Sequence, residues 1–142
     1  MEIREYQSGD LGQVVALWQT VFPNATGHNE PRGSIKRKVL ASDNLFFVAV
    51  DGDAVIGTIL AGYDGHRGWL YSLAVAIIHR RKGVGTELVR HAESALAIFG
   101  CPKLNLQVRA DNTEVIAFYE SLGFHTEQRI SMGKLMPRPA ND

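Results

Sequence analysis

The chain predicts an α/β fold, a mixed and mostly antiparallel twisted sheet flanked by helices, on three observations. Apolar runs of strand length at 45–50, 54–62 and 69–76 follow one another with turn chemistry between them. Two segments, from about 11 to 22 and from about 84 to 99, instead repeat their apolar residues at helical spacing. A later stretch, 104–110, alternates strictly, so helices and strands interleave along the chain. The expected order is βααβββαβαβ, in one domain spanning 1–142.

Residues 2–7 read as a short first strand. Asp10, with Gln13 three residues on, reads as a capping box. Leu11, Val14, Val15, Trp18, Val21 and Phe22 follow at helical spacing until Pro23 ends the helix. The polar segment 24–31 reads as an exposed loop and 32–41 as a short helix. The continuous apolar run 45–50 suits a buried strand, Asp51-Gly52 is a hairpin signal, and 54–62 is the returning arm. A turn over 63–68 leads to the strand 69–76. In the next helix Val84, Leu88, Ala92, Ala95, Leu96 and Phe99 share one face; Glu87, Arg90, Glu93 and Ser94 face outward, and Gly100 and Pro102 close it. After the alternating strand, Asp111 or Asn112 caps a helix running to about Leu122, and Gly123 supplies a left-handed stop. A last strand is expected over 124–134, and the tail 137–142 is expected to be loose.

At 142 residues, with 45% hydrophobic and 21% charged side chains, the chain is long and apolar enough for a core and is not a disordered sequence. Fifteen basic and fifteen acidic residues cancel, so nothing global attracts nucleic acid or an anionic membrane. The apolar runs fall far short of a membrane span, and residues 1–5 carry no signal-peptide pattern, so a cytoplasmic protein is expected. Cys101 is the only cysteine, which excludes an internal disulfide and a cysteine-based zinc site. The five histidines form no His-x-x-x-His pair, and no metal is expected.

The chemistry concentrates first in Arg80-Arg81-Lys82-Gly83-Val84-Gly85-Thr86, where a strand ends in a basic, glycine-containing loop that turns into a helix. The first N–H groups of a helix have no intrahelical partner, and the dipole leaves partial positive charge there. Gly83 and Gly85 let the backbone approach an anion without a Cβ in the way. The loop therefore reads as a phosphate or pyrophosphate cradle, although a basic surface turn would share the pattern. The nucleoside-triphosphate and dinucleotide fingerprints do not fit it. The second constellation lies at Arg109-Ala110-Asp111-Asn112 and at Ala117-Phe118-Tyr119-Glu120-Ser121-Leu122-Gly123-Phe124. Asn112 and Tyr119 are seven apart, two turns along one helix face. Alone, Asn112 reads as a helix cap and Tyr119 as a packing tyrosine.

Together these pieces resemble the GNAT superfamily of acetyl-CoA-dependent N-acetyltransferases, and within it the small bacterial enzymes of the YpeA type. The superfamily's pyrophosphate loop, Gln/Arg-x-x-Gly-x-Gly/Ala, is matched by Arg80, Gly83 and Gly85. Its later motif is matched by Asn112, Phe118-Tyr119 and Gly123-Phe124, and the strand before the loop by Leu73-Ala74-Val75. The resemblance covers residues 2 to about 134. It implies that backbone groups of Leu73 and Val75 bond the pantetheine arm as an added strand, where two neighbouring strands splay apart. It implies that N–H groups from Arg81 through Lys82, Gly83, Val84, Gly85 and Thr86 hold the pyrophosphate, with Arg80, Arg81 and Lys82 adding charge. Asn112 would reach the cofactor or fix its helix, and Tyr119 would be the general acid toward the departing sulfur. A strand N–H near Val75 is the expected donor to the thioester carbonyl.

A general base is not assigned. Many relatives carry a glutamate on the strand before the loop or in the later strand; here the first reads Trp69-Leu70-Tyr71-Ser72-Leu73 and the second has Gln107. Water, Asp64, His66 or His28 stay open as candidates. Cys101 lies past the far end of the helix, roughly 24 Å from the thioester at ~1.5 Å per residue, so direct transfer to a primary amine is expected over an acetyl-cysteine route. The stretch 106–112 resembles the ribosomal-protein N-terminal acetyltransferases except at Gln107, which keeps protein amines beside small-molecule amines as acceptors. A CoA-binding sensor without catalysis is the rival of another class, and the balanced charge disfavours a transfer-RNA acceptor. Acceptor specificity is expected in 22–34, 62–68 and the last hairpin. A homodimer through the C-terminal strands is expected by analogy alone.

Overall fold

The computed structural model describes residues 1–137. It divides into two compact units, Met1–Gln107 and a second that begins at Val108. The first unit runs β1 (Glu2–Glu5), α1 (Leu11–Val21), α2 (Pro31–Leu40), β2 (Phe46–Asp51), β3 (Ala54–Tyr63), β4 (Gly68–Val75), α3 (Val84–Ile98) and β5 (Leu104–Asn105). The sheet order is β1-β2-β3-β4-β5, antiparallel throughout except for the parallel β4–β5 pair. This is the mixed, mostly antiparallel sheet that the sequence predicts.

The two faces are covered by different helices. Val14, Val15, Leu17 and Trp18 of α1 and Ile35 of α2 pack with Phe46, Val48, Val50, Val55, Leu60 and Ala74 on one face. On the other, α3 buries Val84, Leu88, Val89, Ala92 and Leu96. Gly57 makes that second contact close, because a Cβ there would stand 2.9 Å from Leu88 Cδ1 and 3.2 Å from Val84 Cγ1. Glycine thus lets the first turn of α3 lie against β3. The expected apolar face of α3 needs one correction: Val89 is buried, whereas Phe99 is the C-cap residue and turns outward to solvent.

Local chemistry corrects three more expectations. Asp10 does not form a box with Gln13. Its carboxylate takes a bidentate pair from Arg4 at 2.8 and 2.9 Å and the N–H of Gln7 at 2.8 Å, while Gln13 bonds Asp53 O and Val55 N of the β2–β3 hairpin. Asp10 thus caps the preceding 3-10 turn at Ser8–Asp10 instead of α1, and Gln13 is taken by the hairpin. The helix expected at 32–41 begins at Pro31, because Glu30 caps the N–H groups of Arg32 and Gly33, both at 2.9 Å. Of the alternating run 104–110, only Leu104 and Asn105 are strand, since β5 pairs with β4 no further than Trp69.

In the second unit α4 (Thr113–Ser121) is capped by Asn112, whose Oδ1 accepts from Val115 N at 3.3 Å. The helix ends in a Schellman turn: Phe124 N–H bonds Tyr119 O at 3.1 Å, Gly123 N–H bonds Glu120 O at 3.0 Å, and Gly123 has φ +95°. The strand expected over 124–134 does not form. Ile130 and Met132, which alternation would set on one face, are 89% and 90% exposed, so no apolar burial offsets the entropy of ordering a strand. Of the tail expected to be loose, 138–142 lies outside the described residues.

Candidate active site

The basic loop has the backbone of an anion cradle. Arg80 is extended, Arg81 is left-handed at φ +63°, and Gly83 is left-handed again at φ +83°, with Lys82 at negative φ between them. Alternation of this kind turns successive N–H groups toward one point. Gly83 is the N-cap of α3, and its carbonyl accepts from Glu87 N at 3.0 Å. The N–H groups of Val84, Gly85 and Thr86 belong to the first turn, which has no intrahelical acceptor for them. Left-handed Arg81 costs about 1–2 kcal/mol relative to glycine there. Nothing lies within 4 Å of the place a Gly83 Cβ would take, so the space above the turn is open. The donor set fits a pyrophosphate: first-turn amides and three cationic side chains.

β4 supplies the other half of the arrangement. Ala76 N–H bonds Ile56 O at 2.8 Å, and Ala74 pairs with Thr58, so both face β3. Val75 and Leu73 have the opposite phase and face away from it. The structure therefore separates the expected trio: Leu73 and Val75 turn backbone groups outward, while Ala74 is in the β3 ladder with a buried side chain. Because β5 pairs only at Gly68 and Trp69, the two strands part before Leu73, as a bound extended ligand would require. Val75 O accepts from Arg80 Nε at 3.2 Å, so Arg80 is bound back onto the strand end.

Between Tyr71 and Ala74 the strand carries a bulge. The pairing Leu60–Tyr71 jumps to Thr58–Ala74, and Ser72 is left-handed at φ +50°. Tyr71, level with Leu60 on the face that α1 and α2 share, is 53% exposed, and Gly62 leaves room beside its ring. The sequence reading missed Tyr71, Thr58 and Ser72. An isolated hydroxyl, Thr58, inside an otherwise apolar strand was the available signal.

The base candidates from the sequence fare poorly. Asp64 Oδ1 accepts His66 N at 2.7 Å and Arg67 N at 2.8 Å, closing the β3–β4 turn. Those amide bonds hold its carboxylate below the usual range, which weakens it as a base. Asp64 and His66 precede Gly68, at the end of β4 remote from Val75, and His28 is exposed in a 3-10 turn at Gly27–Asn29. Cys101 also lies at that remote end. It is the residue after the Schellman glycine of α3, its N–H on Leu96 O at 3.2 Å, and a Cβ on Gly68 would stand 2.7 Å from its Sγ.

In the second unit Tyr119 is buried, its ring edge-on to Phe118 at 5.1 Å and to Phe124 at 5.4 Å. The Gly-Phe pair of the motif thus has a local cause: Gly123 makes the turn, and Phe124 returns onto Tyr119. Burial pushes the Tyr119 phenol up to about 12. Asn112 Oδ1 is engaged in the cap. Among the described residues no helix is long and apolar enough to cross a membrane, and no His/Cys/Asp/Glu group gathers to hold a metal.

The family model described as Acetyltransferase (GNAT) family matches residues 12–124. The chain belongs to the GNAT acetyltransferase family. An acetyltransferase of Yersinia enterocolitica is 40% identical to it over 134 residues, covering 94% of each chain. Among solved structures, the aminoglycoside N-acetyltransferase AAC(6')-Iy in complex with CoA superposes with TM-score 0.78 at 19% identity, covering 94% of this chain and 93% of that one. The PaiA N-acetyltransferase of Thermoplasma acidophilum, in complex with coenzyme A, superposes with TM-score 0.78 at 20% identity over 91% and 92% of the two chains. The chain is accordingly an acyltransferase, and its fold is the GNAT fold. Relatives named as acetyltransferases favour an enzyme over a sensor.

Proposed function

We propose that the chain binds acetyl-CoA along the outer side of β4 and at the start of α3, and passes the acetyl group directly to a primary amine in a ternary complex. The observation that carries this reading is one continuous stretch in which Leu73 and Val75 face away from β3 and the left-handed Gly83 turn opens α3. Bound there, acetyl-CoA supplies an acetyl thioester. Leu73 and Val75 hold the pantetheine arm through backbone groups, as an added strand. Val84, Gly85 and Thr86 donate amide N–H groups to the pyrophosphate, and Arg80, Arg81 and Lys82 add positive charge. An outward N–H of β4, at Leu73 or Val75, donates to the carbonyl oxygen. Asn112 holds the start of α4.

Tyr119 is the proton donor toward the sulfur. Burial pushes its phenol up to about 12, above the ordinary thiol range, which favours a hydrogen bond to the sulfur over complete proton transfer. Tyr119 therefore acts by hydrogen bonding to the sulfur as the C–S bond breaks and negative charge grows there, and the proton that the attacking amine loses passes to water. The acceptor meets the face of β4 that carries Tyr71. An aminoglycoside, the amine named for AAC(6')-Iy, is one such acceptor class, and peptide amines are the other.

Thermal melts with acetyl-CoA, NAD and ATP, then CoA release with a panel of amines and peptides, test this reading. Stabilisation by acetyl-CoA alone and acceptor-dependent release are expected. No stabilisation, or release that is indifferent to every acceptor, would overturn it.

A further inference from the structure

The bulge in β4 is held by a buried relay that begins two elements away. Trp18, on α1, donates its indole N–H to Thr58 Oγ1 at 2.8 Å, and the Thr58 hydroxyl donates to the Ser72 carbonyl at 3.0 Å. Trp18 is 3% and Thr58 0% exposed. The direction of the relay is set by its donor. An indole N–H can only donate, so the threonine oxygen accepts it and its single hydrogen is left for Ser72. Bonds chained in this way polarise one another in a low-dielectric interior.

The peptide plane explains what the relay controls. Ser72 C=O and Leu73 N–H belong to one peptide unit, and no peptide bond is cis among the described residues, so they point in opposite directions. Fixing the carbonyl on Thr58 therefore fixes the Leu73 N–H, pointing away from Thr58 and β3. That is the side on which β5 pairs no further than Trp69. A left-handed Ser72 carries a backbone cost of about 1–2 kcal/mol that its surroundings offset. The hydroxyl of Thr58 is the side-chain group that holds it.

We propose that Trp18 and Thr58 are positioning residues for acetyl transfer: by clamping the Ser72 carbonyl they aim the Leu73 N–H at the thioester carbonyl oxygen. This rests on acetyl-CoA lying along β4. Both residues are buried in the core, so they act on the transition state through the angle of one amide.

The test uses acetyl-CoA labelled with carbon-13 at the acetyl carbonyl, read by isotope-edited infrared spectroscopy on the intact protein, beside binding and turnover. In the wild type the bound carbonyl stretch should fall below that of free acetyl-CoA. Thr58→Ser keeps a hydroxyl and should keep that shift. Thr58→Val should lose most of it and lower kcat about 10- to 100-fold, with the acetyl-CoA dissociation constant changed less than about threefold. Thr58→Val strands the Trp18 N–H in the core, so the double variant Trp18→Phe/Thr58→Val, which leaves two apolar groups of similar shape, is the companion if the single variant folds poorly. An unchanged carbonyl stretch and kcat in either folded variant would overturn the positioning role. Absence of acetyl-CoA binding by the wild type would instead overturn the cofactor reading beneath it.

Discussion

Gly83→Ala separates the fold from the cofactor at a single position. Gly83 has φ +83°, and nothing lies within 4 Å of the Cβ that alanine would add. The folding cost is therefore the left-handed backbone penalty alone, about 1–2 kcal/mol. At ~2.1 cal/mol/K per residue, a chain of 142 residues has an unfolding entropy near ~0.3 kcal/mol/K, so the melting temperature should drop by about 3–7 °C. Acetyl-CoA at a hundred times its dissociation constant should add about 2.7 kcal/mol to the wild type, or roughly 9 °C. A methyl group in the cradle that weakens binding ~100-fold would leave about 0.4 kcal/mol at the same concentration, near 1 °C. Gly65→Ala is the control. Gly65 has φ +89° and equally open space, but sits in the β3–β4 turn at the other end of β4, so it should pay the backbone penalty and keep the full ligand shift. The assay is a melting curve of each protein across an acetyl-CoA titration. A full ligand-induced shift in Gly83→Ala would refute the argument that this turn holds the pyrophosphate.

Tyr119→Phe keeps the ring on Phe124 and removes the hydroxyl; kcat should fall roughly 10²-fold or more with acetyl-CoA affinity nearly unchanged, as steady-state kinetics and calorimetry would read. With a folded value of about 12 against an unfolded one near ~10, this phenol's contribution to stability should be intact below pH ~10 and lost as pH rises toward ~12, a window that alkaline melts of the wild type and Tyr119→Phe can isolate. Cys101→Ala should retain most turnover, because the thiol packs on Gly68 far from Val75; a folded but inactive variant, or acetyl trapped on Cys101, would reverse that reading. Asp10, held below its usual range first by its hydrogen bonds from Arg4, should stabilise the fold above pH ~4 and less as pH falls through its lowered value, and Asp10→Asn should cost about 2 kcal/mol in denaturant unfolding at pH 7 and flatten that acid limb.

What the sequence determined by itself was everything local in cause. The period of 3.6 placed α1 and α3, the Asp51-Gly52 turn placed the β2–β3 hairpin, and Gly123 with Phe124 placed the end of α4. The turn that opens α3 was legible because its glycines and the helix start are consecutive in sequence. Tertiary structure decided whatever depends on a neighbour. The alternation of 104–110 and the expected strand at 124–134 needed a paired edge, and only Leu104 and Asn105 found one. Asp10 joins Arg4 and the Gln7 amide rather than Gln13, because β1 brings the Arg4 guanidinium within bidentate reach. The bulge at Ser72 and its clamp are likewise invisible in one dimension: Trp18, Thr58 and Ser72 meet only when a helix, a buried strand and its neighbour are packed together, and that packing sets the angle of the Leu73 amide.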